Sequence, residues 1–493
     1  MSEQGAGDEK GGDALSATAI RRARGLLVVL VAMGFLARLG LALVIPENRV
    51  AATPEAWAYL KIGRSVADGG GFVLPAGFPA DGTPAHKAAP AEPAPEAPLR
   101  LAARMPGYPL LVAACERLSA EGLRLLGVVQ SLLGGAAMGL AAYLGWRLMG
   151  RRTGSPESAG AWAAAAAAAL LTFDPYQVYA CAVVLPAAPL GFMLLAAVGA
   201  GLEFIEVSRQ GGRACPAAGG RACPTTGGRA WPWAALAGLA VAAVAYIDWR
   251  MVGLAPLVGL AALVAPGRRR YLAGWGIGLL VMAVALAPWL VRNEIRLGSP
   301  VLTTDLGVRL YAGTEPAAGL SAEGPRSTAE AAGHERGGAE AAPPKELGEV
   351  GRDRFYLRSA LGRMAADPGR WLEGVARNAA RMWSPWPVQQ GGSLLLPPVA
   401  GYTSLLPAAV LALAGVWALR RKRAELVWLL AMPVYATVAG AVFAGGVEDR
   451  LPVAPILAVL GGLGLAAIIA RPRGEKGRGA GAEGRGKAND RAT

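Results

Sequence analysis

Few side chains in this sequence could do chemistry, and most of those that could stand beside short, turn-rich motifs. The stretch TPEAWAYLKIGRSVADGGGF, 53–72, opens on one acid, Glu55, four residues before Tyr59. A positioned carboxylate can take the proton of an attacking hydroxyl. An acid in a first helical turn can also simply complement the helix dipole, so from local sequence Glu55 is either a cap or a catalyst. Arginines follow in chain order: Arg104 in RMPGYPLL, Arg250 in YIDWRM, Arg292 in APWLVRN and Arg450 in DRLPVAP. A planar guanidinium binds phosphate oxygens in pairs, and it serves equally well as an anchor whose head reaches lipid headgroups. Four cysteines, Cys115, Cys181, Cys215 and Cys223, have no metal-like spacing, and the two histidines are far apart, so no metal site is expected. No GxGxxG or P-loop offers a cradle for a soluble nucleotide sugar, and no cofactor is expected.

These residues need elements to hold them. Thr53 is a good N-cap and Pro54 fits the first helical position. Apolar Ala56, Tyr59, Leu60, Gly63 and Val66 then recur with a helical period until Gly69, Gly70 and Gly71 stop it. The expectation is an amphipathic helix at a membrane surface. The segment 106–118 is too short to span and reads as an interfacial or re-entrant helix.

The rest of the chain explains why a membrane is involved. Over 493 residues it is 54% hydrophobic and only 17% charged, with a mean hydropathy of +0.37. This indicates an all-α polytopic membrane protein. Candidate spans fall at 25–45, 122–146, 160–181, 186–204, 231–248, 250–265, 271–291, 396–418, 425–444 and 451–470, about ten crossings. The basic clusters near 21–24, 147–152, 209–229, 267–270, 420–423 and 471–478 then lie on one side, which the positive-inside rule makes cytoplasmic.

Both termini, the 1–24 tail and the basic, disordered 471–493 tail, are therefore expected in the cytoplasm of a multi-pass cell-membrane protein. A single domain, 25–470, carries outward loops 46–121 and 292–395. The net charge of +14 belongs to this topology and implies no nucleic acid partner. The near-duplicate GGRACPAAGGRACPTTGG, 211–228, reads as a solvated loop, and 73–103 and 315–349 as flexible parts of the outward loops.

Taken in order, the acid four residues before Tyr59, RMPGYP (104–109), VQSLLG (129–134), APWLVRN (287–293) with TTDLGVRLYAG (303–313), DPGRW (367–371) and RLPVAP (450–455) form a series. It resembles the membrane glycosyltransferases of family 39 of the GT-C fold, the protein O-mannosyltransferase and aminoarabinose transferase class. The resemblance covers most of 25–470. It implies transfer of a hexosyl or pentosyl group, with inversion, from a polyprenyl-phosphate donor in the membrane lipid to a protein, lipid or wall-glycan acceptor on the outer face. It makes Glu55 the general base, in a position where the family usually has Asp. Arg104, Arg292, Arg450 and Arg250 are then expected to hold the donor phosphate, with Tyr59, Tyr108 and Asn293 lining the substrate cavity. Where the family commonly has a Ser-Glu pair, this chain reads LPAAPL (185–190), and Asp174 is the nearest acid in sequence. Two other readings stay open: a relative that keeps the fold but has lost the reaction, and a lipid-linked substrate transporter or flippase. The latter would be supported by inverted repeats, and no internal symmetry between the halves is visible.

Overall fold

The computed structural model describes residues 6–51, 53–74, 102, 104–150, 157–210, 230–260, 268–314, 347–385, 399–443 and 445–470. His86, His334, Cys215, Cys223, the 211–228 loop, the tail from 471, and most of 73–103 and 315–349 lie outside the described residues. The architecture is helical: α1 (Ala6–Val44), α2 (Glu47–Val50), α3 (Pro54–Ala67), α4 (Gly107–Leu118), α5 (Gly122–Gly150), α6 (Glu157–Thr172), α7 (Pro175–Ala182), α8 (Ala187–Gln210), α9 (Trp231–Ile247), α10 (Leu254–Leu260), α11 (Arg268–Leu297), α12 (Leu306–Thr314), α13 (Glu349–Ala366), α14 (Pro368–Met382), α15 (Val399–Leu419), α16 (Arg423–Val442) and α17 (Ala454–Ile469). Tight 3-10 turns at Trp249–Gly253 and Val447–Val453 precede α10 and α17.

Among the described residues, 7 helices are long and apolar enough to cross a membrane, and Ser158–Thr172 and Trp231–Ile247 are shorter apolar helices. This is a multi-pass membrane protein. The expected span 160–181 is interrupted, because Asp174 caps a new helix through the Tyr176 amide (3.0 Å) and Pro175 starts it. The expected span 250–265 opens as the 3-10 turn and then α10.

Small residues let the helices approach. The alanine run of α6 packs between α1, α5 and α17. A β-carbon on Gly462 would lie 2.4 Å from the Ala163 carbonyl, a backbone contact that only glycine permits. Buried Arg38 of α1 donates to the Gly34 and Leu171 carbonyls (both 2.8 Å), tying α1 to the end of α6.

The polar groups divide between the two ends of the bundle. One end carries Arg147 with Glu203, Arg209 with Glu425, and Lys422 on the Leu148 carbonyl (3.2 Å). The other carries the short helices α3, α4, α12, α13 and α14. The expected site residues lie at this second end.

Candidate active site

Capping at α3 belongs to Thr53, whose hydroxyl accepts the Ala56 amide at 3.1 Å. Glu55 is therefore released from that task. Buried Tyr59, Leu60 and Ile62 hold the helix down, and Gly63 lets α3 close onto Val112 of α4. The Glu55 carboxylate instead accepts from Arg309 at 2.6 Å and lies 3.7 Å from Arg104.

Both guanidiniums are aimed by a second carboxylate. Asp305 pairs with Arg104 and, at 2.5 Å, with Arg309 one helical turn further along. Four hydrogen bonds hold this arrangement. The Ala102 carbonyl accepts the Thr304 amide (3.1 Å). Glu349 of α13 accepts the Ala102 amide (3.1 Å) and the Thr304 hydroxyl. Asp353 accepts the Gly307 amide (2.7 Å), pinning the start of α12. The glycine of RMPGYP also has a steric reason, since a β-carbon on Gly107 would lie 2.7 Å from the Tyr246 carbonyl at the end of α9.

Arg250 joins from the neighbouring turn. It folds back on Asp248 (2.8 Å) and reaches Asp449 (2.6 Å), and it lies close enough to act on the charge of Glu55. Glu448, beside Asp449, is within electrostatic reach of Glu55 as well.

Tyr59 and Tyr108 meet edge to face with centroids 5.0 Å apart, and Arg104 lies over the Tyr59 ring at 5.8 Å. Tyr108 is buried and donates to Gln130 (2.8 Å), which in turn holds the Cys181 and Val183 carbonyls (3.1 and 2.9 Å). Asn293 is fully buried and donates to the Val301 carbonyl (2.7 Å), fixing the turn after α11. Arg292 stacks near Trp289 (4.7 Å) and Phe72 (5.7 Å) and donates to Asn293 (2.7 Å), on a patch apart from the Glu55 pairs. Arg450 also faces elsewhere: it lies over the Tyr176 ring at 5.4 Å and donates to the Met382 and Ser384 carbonyls. The structure thus brings Glu55, Arg104 and Arg250 together and leaves Arg292 and Arg450 outside that cluster.

Asp305 and Arg309 were not among the expected site residues, although their four-residue spacing in TTDLGVRLYAG places both on one helical face. Glu448 and Asp449 join the cluster as well without a local signal. The 447–453 turn packs Val447 and Leu451 against Ala187 at the start of α8. The segment LPAAPL, which lacks an acid, therefore neighbours a turn that carries two.

Burial alone would raise Glu55, but Arg309, Arg104 and Arg250 outweigh it and hold the carboxyl at about 2. Asp305 is likewise raised by burial yet held below its usual range by Arg104 and Arg309. Burial and the facing Glu55 charge push the Tyr59 phenol up. Each guanidinium has five N–H donors, and the ion pairs of Arg104 and Arg309 use only some of them. The cluster can therefore accept an oxyanion beside a carboxylate that is already ionised. Among the described residues no group of acids, histidines and cysteines is arranged to hold a metal ion.

No family model matches the chain, and no curated protein does. Solved structures do. The archaeal oligosaccharyltransferase AglB from Archaeoglobus fulgidus, in complex with an inhibitory peptide and a dolichol-phosphate, superposes with a TM-score of 0.51 at 15% identity, over 91% of this chain and 50% of that one. The Archaeoglobus fulgidus oligosaccharyltransferase tethered with an acceptor peptide gives 0.50 at 14% identity, over 91% and 49%. ArnT from Cupriavidus metallidurans bound to undecaprenyl phosphate matches at 0.38 and 16% identity, over 90% and 78%. The chain spans about half the length of the oligosaccharyltransferase it matches. At these identities the likeness is one of fold: the chain has the all-helical GT-C membrane fold.

Proposed function

We propose that the chain is a membrane glycosyltransferase that moves a sugar from a polyprenyl-phosphate donor to an acceptor hydroxyl on the outer face of the membrane, with Glu55 as general base. The observation that carries this reading is the Glu55 carboxylate held between Arg309 and Arg104 at one end of a GT-C bundle. The acceptor oxygen attacks the anomeric carbon from the face opposite the phosphate, its proton passes to Glu55, and the carbon–oxygen bond to the phosphate breaks with inversion. The phosphate leaves as an anion, so a second, protonating acid of the glycosidase kind is unnecessary. Arg104 and Arg309, with Arg250 behind them, supply fixed positive charge for that anion.

At rest the same arginines make Glu55 a weak base, because a carboxyl held at about 2 has little affinity for a proton. A donor phosphate drawing on Arg104 and Arg309 neutralises part of their field and returns basicity to Glu55. In this reading the base is switched on by the donor it serves.

The test is transfer from radiolabelled polyprenyl-phosphate sugars by the purified protein in lipid. Glu55→Gln should lower kcat by about 100-fold or more, the usual worth of a general base, while Glu55→Asp retains transfer. Equal rates for all three proteins would remove Glu55 from the chemistry. Absence of transfer in all three, with donor binding intact, would select the inactive-relative reading.

A further inference from the structure

The helix that supports Arg309 has a face that the reaction does not use. Between 347 and 385 the chain carries seven arginines, no lysine and four acids, and each of those acids is already engaged. Glu349 accepts the Ala102 amide and the Thr304 hydroxyl, and Asp353 accepts the Gly307 amide. Asp367 accepts the Arg370 amide as the cap of α14, and Glu373 pairs with Arg377 at 2.7 Å. Arg358 is left exposed with no ion pair among the described residues. Arg354, one helical turn before it, is exposed too and donates to the Ser299 hydroxyl (3.2 Å), again with no acid partner among the described residues.

This surface is apolar as well as basic, and it lies at membrane level. Leu361 continues the Arg354 and Arg358 stripe of α13 and is exposed, as is Leu372 beside exposed Arg370 at the start of α14. Ser299, which receives Arg354, follows the end of α11. That helix runs 30 residues, about 45 Å, so it outruns a hydrocarbon core of about 30 Å and its last turns reach headgroup depth. There Val291 and Ile295 are exposed, and so is Arg296, which has no ion pair among the described residues. Glu294 falls on the opposite face of α11 from Arg296. Basic heads interleaved with exposed aliphatic side chains fit a surface lying in the lipid interface better than one in water.

We propose that Arg296, Arg354 and Arg358 form a docking surface for anionic phospholipid headgroups, with Leu361 and Leu372 entering the acyl boundary beside them. Charge and depth together identify the occupant. Three exposed guanidiniums without acid partners select an anion, and exposed leucines at headgroup depth select one that belongs to a membrane. The consequence reaches the Glu55 cluster through packing. A β-carbon on Gly307 would collide with the Asp353 carbonyl, so α12 rests on the backbone of α13, and α12 delivers Arg309 to Glu55. Lipid that fixes α13 thereby steadies Arg309.

The experiment places the full chain in nanodiscs of phosphatidylcholine with increasing phosphatidylglycerol and reads amide exchange over 354–361. Exchange there should slow as phosphatidylglycerol is added, and exchange over 306–314 should slow with it. In Arg358→Gln the half-saturating fraction of phosphatidylglycerol should rise about fivefold, the worth of one arginine at an anionic surface. The double variant Arg296→Gln with Arg358→Gln should scarcely respond. Both side chains are exposed and unpaired among the described residues, so neither change removes a contact on which the fold rests. Equal exchange at every lipid composition, or a double variant that follows the wild type, would overturn the proposal. So would equal slowing by soluble glycerol phosphate or by polyphosphate in phosphatidylcholine discs, which would assign the arginines to a free anion or to an anionic acceptor polymer. The measurement needs no transfer, and Glu55→Gln should leave the lipid response over 354–361 unchanged, so this proposal and the proposed reaction can fail separately.

Discussion

At the scale of single residues, the Glu55 site is a contest for two guanidiniums. Arg309 contacts Glu55 and Asp305 at once, so removing it changes the charge on Glu55 more directly than any other substitution. The sign is fixed by the folded pKa. Glu55 is depressed to about 2 from 4.5, so its ion pairs stabilise the fold fully above 4.5, and that contribution is lost as pH falls from 4.5 towards 2. For the wild type, kcat/KM should therefore show no acid limb from Glu55 between pH 4 and 7. In Arg309→Met the largest attraction disappears while burial still raises the carboxyl against Arg104 and Arg250, so the acid limb should move up towards the ordinary carboxyl range, with weakened donor binding. A pH–rate profile of the two proteins decides it, and an unchanged acid side in the variant would show that Arg309 does not govern Glu55.

At the scale of elements, α12 is the part that delivers Arg309, and α12 hangs on Asp353. Burial raises Asp353 to about 6; the Gly307 and Val308 amides pull it down, while the Asp305 and Glu349 charges push it up. The folded pKa lies above the unfolded one. The protonated acid therefore holds α12 best below about 4, and the attachment weakens as pH rises through 6. Amide exchange over 306–310, corrected for its intrinsic pH dependence, should rise between pH 4 and 7. Asp353→Asn keeps an acceptor for the Gly307 amide and removes the titration, so its corrected exchange should be flat; a slope like that of the wild type would place the pH dependence elsewhere. This element also marks how far sequence reasoning reached. The α3 helix, its Thr53 cap, the short α4 helix and most spans were legible because caps and hydrophobic period are local signals. Asp305, Arg309, Asp353 and Asp449 were not, because their meaning lies in pairs separated by up to 254 positions, as for Arg309 and Glu55. Arg292 and Arg450 show the converse. Their motifs are local, but which way each side chain turns depends on Trp289 and Phe72 for one and Tyr176 for the other.

At the scale of the whole molecule, the proposed reaction depends on which end faces out. The two ends are chemically unlike. The Arg147, Arg209 and Lys422 end is joined to the basic clusters at 147–152 and 420–423, whereas the Glu55 end gathers Glu55, Asp305, Asp248, Glu448 and Asp449 around Arg104, Arg309 and Arg250. On the positive-inside rule we propose that the first end lies in the cytoplasm and Glu55 outside. Single cysteines test this in a background where Cys115, Cys181, Cys215 and Cys223 are replaced. Asp68 is exposed just after α3 and Arg420 just after α15. In intact cells a membrane-impermeant maleimide should label Asp68→Cys at once and Arg420→Cys only after permeabilisation. The reverse pattern would place Glu55 in the cytoplasm, where soluble nucleotide sugars are available and the argument for a lipid-linked donor loses its main physical ground. Labelling of both from one side would contradict the alternation of helix ends on which the cluster itself depends. The expected pattern leaves Glu55 facing a compartment in which a sugar donor must arrive through the membrane, the condition that the proposed lipid-phosphate donor meets.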